Sequence, residues 1–134
     1  MVKITTSPLS PEAVVKEVKT NDSGCVATYV GLIRDNSKGK SVVCVEYSDP
    51  NNKAEEGLQQ IVDVARQRWP INNMAIYHRI GKLNVGDINL VVAVAAGHRG
   101  EGFAACQYAI DQFKEKLPTS KRETYTDGSF LVAD

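Results

Sequence analysis

The sequence predicts an α+β or α/β fold in which helices pack on a mixed sheet, and three observations carry that expectation. Four stretches, 24–33, 41–48, 74–80 and 88–96, are dense in apolar residues, many of them β-branched. Two others, from Asn52 to Trp69 and from Phe103 to Leu117, repeat apolar residues at helical spacing. Their order, strand, strand, helix, strand, strand, helix, interleaves the two kinds of element, and such a pattern buries its apolar faces as a layered sandwich. A length of 134 residues is enough to bury a core without disulfide or metal staples, so one domain over residues 1–134 is expected.

Each element has a local cause. Ser10 followed by Pro11 and Glu12 starts a short helix running to about Lys19, because a serine N-cap accepts from an orphan N–H and proline is tolerated at the first helical position. "GCVATYVGLI" (24–33) and "SVVCVEYS" (41–48) read as strands joined by the polar loop "RDNSKGK". Ala54, Leu58, Ile61, Val62, Ala65 and Trp69 form one face of an amphipathic helix that Pro70 stops. "MAIYHRI" (74–80) alternates Met74, Ile76, His78 and Ile80 against Ala75, Tyr77 and Arg79, the period of a half-buried strand. "INLVVAVAA" (88–96) is continuously apolar and reads as a central strand. Phe103, Cys106, Ile110, Phe113 and Leu117 mark the buried face of a last helix, ended before Pro118. The tail is expected to hold a turn at Asp127-Gly128 and a short terminal strand.

Composition excludes several classes. The 16 basic and 16 acidic side chains cancel, so nothing draws the whole chain onto nucleic acid or an anionic membrane, and any anion site must be local. Cys25, Cys44 and Cys106 form no C-x-x-C pair and have no histidine at metal-ligand spacing, which points to reduced, mostly buried thiols and neither a disulfide framework nor a metal site. "MVKITTSPLSPEAVV" lacks an apolar signal core and no stretch reaches the roughly 18 apolar residues needed to cross a bilayer, so a cytoplasmic protein is expected.

Positive charge nevertheless gathers around residues 95–123. A strand, a turn at Gly97 and a helix follow one another there, and the unpaired N–H groups opening the helix, with His98 and Arg99 beside them, would suit an anion such as phosphate. Alone, His98 and Arg99 read equally as a turn cap and a solvated cation, Lys114 as a surface lysine bordering the apolar face, and Lys121 and Arg122 as charges in a loop after Pro118. Arg34 ends a strand and opens a polar loop, a common place for a functional side chain. His78, on the apolar face of its strand, reads as a hydrogen-bonded core histidine. No Ser-His-Asp order, Walker loop or G-x-G-x-x-G can be assembled, and no cysteine has an activating context.

Taken in order, several stretches resemble the catalytic (large) subunit of molybdopterin synthase. They are "GCVATYVGLIRDNSKGKSV", "VARQRWP", "IYHRIGKLNVGD" and "AAGHRGEGFAACQYAIDQFKEKLP", the last followed by "KRE". The similarity spans roughly residues 24 to 128, and the H-R turn with its spacing to two lysines is its most specific part.

The resemblance implies an α/β-hammerhead domain with an added small antiparallel β subdomain. It implies a homodimer of large subunits, each holding a small ubiquitin-like sulfur carrier whose C-terminal Gly-Gly bears a thiocarboxylate, so that the assembly is a heterotetramer. The implied reaction delivers two such sulfurs to cyclic pyranopterin monophosphate, forming the dithiolene of molybdopterin without metal or other cofactor. By position, Lys114 and Lys121 match the family's catalytic lysines. Arg34, His98 and Arg99 match its substrate-binding positions, with His98 and Arg99 reaching across the dimer. A cation beside the thiocarboxylate would stabilise developing negative charge, and a lysine would pass a proton as sulfur adds and the cyclic phosphate opens. The chain departs from the family at Ser120, where an aromatic residue usually precedes the second lysine, and at Pro50 and Lys53, where Tyr and Met are frequent. It ends at Asp134, short of a further basic residue that some members place in the pocket. A second function class is a non-catalytic relative that dimerises and grips a ubiquitin-like tail or a phosphate ligand.

Overall fold

The computed structural model describes residues 1–133, and Asp134 lies outside the described residues. Its elements run β1 (Val2–Thr5), α1 (Pro11–Val18), β2 (Cys25–Leu32), β3 (Asn36–Ser37), β4 (Lys40–Ser48) and α2 (Ala54–Arg68). There follow β5 (Ile71–Arg79), β6 (Gly81–Asn84), β7 (Ile88–Ala96), α3 (Arg99–Glu115), β8 (Ser120–Tyr125) and β9 (Phe130–Ala133). Two sheets result. The first has the order β1-β5-β7-β2, with β1 parallel to β5 and the other neighbours antiparallel. In the second, wholly antiparallel sheet β4 is central and pairs with β3, β6 and β8, while β9 lies on the outer side of β8. A mixed sheet carrying helices, with a smaller antiparallel unit attached, is the predicted architecture.

The first sheet is covered on both faces. Met74, Ile76, Leu90, Val92 and Val94 pack against Leu58, Val62 and Ala65 of α2 and Ala105, Ala109 and Phe113 of α3. On the other face Ala75, Tyr77, Val91, Ala93 and Ala95 receive Val14 and Val18 of α1. This corrects the half-buried reading of residues 74–80: α1 covers the face carrying Ala75 and Tyr77, so both sets of alternate residues are buried. Each buried Leu, Ile or Val side chain in these layers contributes about 1.5–3 kcal/mol relative to exposure.

Capping follows the sequence signals at α1, where the Ser10 hydroxyl accepts from the Ala13 N–H at 3.2 Å. In α3 the buried face is Gly102, Ala105, Cys106, Ala109 and Phe113, and Phe103 is 63% exposed, contrary to the expectation that it starts the apolar stripe. Small residues on that face let α3 lie close to the sheet, and Phe103 falls outside the contact.

The second sheet holds a separate core of Ile33, Val42, Val45, Tyr47, Leu83 and Tyr125. Its β3–β4 hairpin turns through Lys38 and Gly39, both at positive φ (53° and 78°), the backbone a two-residue hairpin requires. The sequence reading did not anticipate β1, β3, β6 or β8. The last matters most, because Lys121 and Arg122 lie on a strand paired to β4 and not in a loop.

Candidate active site

Three of the five predicted site residues converge where the two sheets meet. Arg34 follows the end of β2, Lys114 sits in the last turn of α3, and Lys121 is the second residue of β8. All three line a cavity of about 160 Å³, together with Tyr47, Asn89, Phe113 and Glu123. Tyr47, Asn89, Phe113, Lys114 and Lys121 also line an adjoining recess of about 260 Å³ that extends past Glu115 and Leu117.

Pairing in the second sheet explains how Lys121 comes to face inward. In β8 the residues alternate, so that Glu123 and Tyr125 are buried while Arg122 is exposed and lies over the Phe130 ring. Lys121 shares the inward side and is the cross-strand partner of Tyr47 on β4. Its ammonium is 3.4 Å from the Glu123 carboxylate. Burial by itself would push the Glu123 carboxyl up. Hydrogen bonds from Ser37 and from the Tyr125 hydroxyl (2.7 Å), with the Lys121 charge beside it, outweigh that and hold it below its ordinary value. Glu123 therefore stays ionised and fixes Lys121 in the cavity wall. Lys114 sits where the C-terminal end of a helix favours a cation. With Arg34, the cavity carries three cations against one carboxylate, and that carboxylate is already engaged. Such a wall stabilises an anion or a charge developing on oxygen or sulfur.

Below the cavity lies His78, fully buried as the sequence predicts for a core histidine. One ring nitrogen, Nδ1, is 2.8 Å from the Asn89 carbonyl and the other, Nε2, is 3.1 Å from the Thr119 hydroxyl. A carbonyl only accepts, so Nδ1 carries the proton and Nε2 accepts from Thr119. Burial lowers its pKa to about 4, which keeps the ring neutral at physiological pH. The ring packs edge-on against both Tyr47 and Phe113. His78 thus ties the first sheet to the approach of β8 and to the residue preceding Lys114.

His98 and Arg99 are elsewhere. His98 is the N-cap of α3, in extended conformation with no side-chain capping bond, and Arg99 opens the helix; both are exposed. Arg99 and Lys114 are fifteen positions apart in the helix, about 22 Å along the axis. Within one chain the structure does not bring these two groups together. The sequence reading also missed Glu123, Tyr47 and Asn89, though the alternation Lys121, Glu123, Tyr125 was available as a strand signal.

None of the three cysteines lines either recess. Cys44 and Cys106 are buried and Cys25 half-buried, and burial pushes the Cys106 thiol up to about 11. Among the described residues, no group of three or more His, Cys, Asp or Glu is placed to hold a metal ion. No helix among them is long and apolar enough to cross a membrane.

The chain is similar to known proteins in sequence and in fold. The sequence model of the family described as MoaE protein matches residues 4–116. The molybdopterin synthase catalytic subunit of Nostoc sp. is 41% identical over 94% of this chain and 77% of its own length. The crystal structure of molybdopterin synthase from Staphylococcus aureus superposes with a TM-score of 0.89 at 32% identity, covering 98% of this chain and 95% of that one. A complex of subunits 1 and 2 of molybdopterin-converting factor from Helicobacter pylori shares the fold, with a TM-score of 0.77 at 14% identity over 99% of this chain and 90% of that one.

Proposed function

The chain belongs to the MoaE protein family, and on that premise we propose that it is the sulfur-transferring subunit that converts cyclic pyranopterin monophosphate to molybdopterin. The observation that carries this reading is the convergence of Arg34, Lys114 and Lys121 on one cavity at the junction of the two sheets. Arg34 holds the substrate's phosphate, its fork of N–H donors matching the oxygens. Lys114 and Lys121 flank the reacting sulfur. Their charges stabilise the anion as the thiocarboxylate sulfur adds to the pterin and as water then cleaves the acyl–sulfur bond, returning the tail as a carboxylate, and a lysine passes a proton as the cyclic phosphate opens.

The sulfur arrives on a second protein, so no cysteine of this chain is needed. The Helicobacter pylori relative is a complex of two different subunits. For this chain the partner is a small ubiquitin-like subunit whose C-terminal Gly-Gly thiocarboxylate enters by the recess past Leu117 and Glu115. Glycine's missing side chain lets an extended tail pass between close walls.

The site is completed by a second copy of the chain. His98 and Arg99 are one helix length away from Lys114, so they serve the pterin phosphate of a neighbouring protomer. Exposed apolar side chains suit such an interface, among them Val30 and Leu32 on β2, an edge strand of the first sheet, and Phe103 on α3. Two large and two small subunits then form a heterotetramer. A scaffold that only gripped a tail would have no use for Arg34, His98, Arg99, Lys114 and Lys121 together, which favours the enzyme over the non-catalytic class. The test is made in cells. A bacterial host lacking its own large subunit, given this chain and its cognate small subunit, should regain molybdoenzyme activity. A folded, expressed chain that restores none would reject the reading.

A further inference from the structure

Tyr47 is one of the five residues, with Asn89, Phe113, Lys114 and Lys121, that line both recesses of the site. Its ring is cross-strand partner to Lys121, packs edge-on against His78 at a centroid distance of 4.8 Å, and is 6% exposed. Tyr47 lines both the Arg34 recess and the recess past Leu117. Its hydroxyl oxygen accepts a hydrogen bond from Asn89 Nδ2 at 3.1 Å. No acceptor for its own proton is present among the described residues, so that proton is available to a group in the cavity.

The arrangement around Asn89 is built to hold this hydroxyl in one orientation. The Asn89 carbonyl is fixed by His78 Nδ1 and its side-chain amide reaches Tyr47. Gly31 on β2 makes room for the amide, since a Cβ there would stand 2.8 Å from Asn89 Oδ1. Three strands, β2, β4 and β7, thus determine where one phenolic O–H points.

We propose that Tyr47 is a further catalytic residue, donating a hydrogen bond to the tail's acyl oxygen between Lys114 and Lys121, where negative charge collects as water adds to the acyl carbon and the acyl–sulfur bond breaks, and that Asn89 is its positioning residue. This inference rests on the sulfur-transfer reading. Burial raises the Tyr47 pKa, so the phenol keeps its proton and acts as a donor throughout the neutral range. Two lysines supply charge without direction; a phenol held by Asn89 supplies direction, fixing the acyl oxygen so that the sulfur faces the Arg34 recess.

The experiment is steady-state synthesis of molybdopterin from thiocarboxylated small subunit and cyclic pyranopterin monophosphate. Wild type, Tyr47→Phe, Asn89→Ala and the double variant are compared, with melting curves for each. Tyr47→Phe keeps the ring on His78 and removes only the hydroxyl. Losing a hydrogen bond to a charged group should lower kcat by about 10- to 100-fold, with KM for both substrates unchanged. Asn89→Ala should lower kcat by a smaller factor and add nothing in the Tyr47→Phe background, which a merely structural asparagine would not do. Wild-type kcat in Tyr47→Phe, or losses that multiply in the double variant, would overturn the proposal while leaving the function standing. Should Tyr47→Phe not fold, Asn89→Ala decides: reduced kcat at constant KM supports the proposal and an unchanged kcat overturns it. A wild-type protein that makes no molybdopterin would overturn the functional reading and this inference together.

Discussion

Two variants that are each inactive should restore one another when mixed. Arg99→Ala removes a cation at the start of α3, and Lys121→Ala removes one on β8. The length of α3 puts Arg99 about 22 Å from Lys114, far beyond the span of any side chain, so a site needing Arg99, Lys114 and Lys121 must draw on two protomers. In a heterodimer of the two variants one site receives Lys121 from the first chain and Arg99 from the second and is complete, while the other site lacks both. Random exchange of equal amounts makes about half of the dimers mixed, each with one working site of two, so activity should recover to about a quarter of wild type. The assay is molybdopterin formation after subunit exchange, with mixed dimers counted by native mass spectrometry of differently tagged chains. Verified heterodimers with no activity above that of the parents would refute the shared site and place all the needed groups in one chain.

The lysines give a second prediction: Lys114→Ala and Lys121→Ala should each cut kcat by about 100-fold or more. Melting temperature should fall little, since both are partly solvated and the Lys121–Glu123 pair is worth no more than about 1 kcal/mol; wild-type turnover in both variants would remove them from the chemistry. A third concerns His78, whose pKa falls from 6.5 to about 4 on folding. The unfolded chain takes up a proton below pH 6.5 that the folded chain refuses, so this group's contribution to stability is full above the unfolded value and declines as pH falls towards 4. That loss amounts to about 2 kcal/mol between pH 7 and pH 5. Denaturant melts should show His78→Gln less stable at pH 7 but without this share of the acid-side decline; parallel curves for the two proteins would contradict the neutral buried histidine. A fourth concerns the partner's tail. Deleting the small subunit's final Gly-Gly, or making its last glycine bulky, should weaken binding in isothermal titration and abolish transfer, and equal affinity for all three partners would mean that no tail enters the recess.

The fold was legible where a single face of an element meets the core. The α2 stripe of Ala54, Leu58, Val62 and Ala65 is buried as its spacing predicts. The apolar run 88–96 is the central strand β7, paired on both sides. What escaped has physical reasons. β1 is four residues long and gains its place only by pairing with β5, a partner more than seventy residues away. The alternation in 74–80 was real but misleading, because Ala75 and Tyr77 are themselves covered by α1. β8 was hidden by its charges: "KRE" looks like solvated loop until β4 is placed beside it, when Lys121 and Glu123 turn inward and Arg122 outward.

The site divided along the same line. Composition and spacing pointed to anion binding near residues 95–123, and resemblance supplied the roles of Arg34, His98, Arg99, Lys114 and Lys121. Neither pointed to Tyr47, Asn89 or Glu123. Their chemistry depends on pairing between strands far apart in sequence, and no local pattern encodes that. The departures at Ser120, Pro50 and Lys53 lie outside the lining of the site: Ser120 immediately precedes Lys121, and Pro50 and Lys53 lie between β4 and α2. None of the three removes a group from the cluster of cations.

The central claim, that this cavity moves sulfur from a protein tail to a pterin, is tested most directly by a single-turnover mass measurement. Wild-type chain, thiocarboxylated small subunit and cyclic pyranopterin monophosphate are mixed, and both the small subunit's C-terminus and the pterin product are weighed. The account predicts that two tails exchange sulfur for oxygen for every molybdopterin formed, and that the Lys114→Ala, Lys121→Ala double variant leaves both tail and pterin unchanged. Tails that keep their sulfur in the presence of folded wild-type chain, or a double variant as active as wild type, would contradict it.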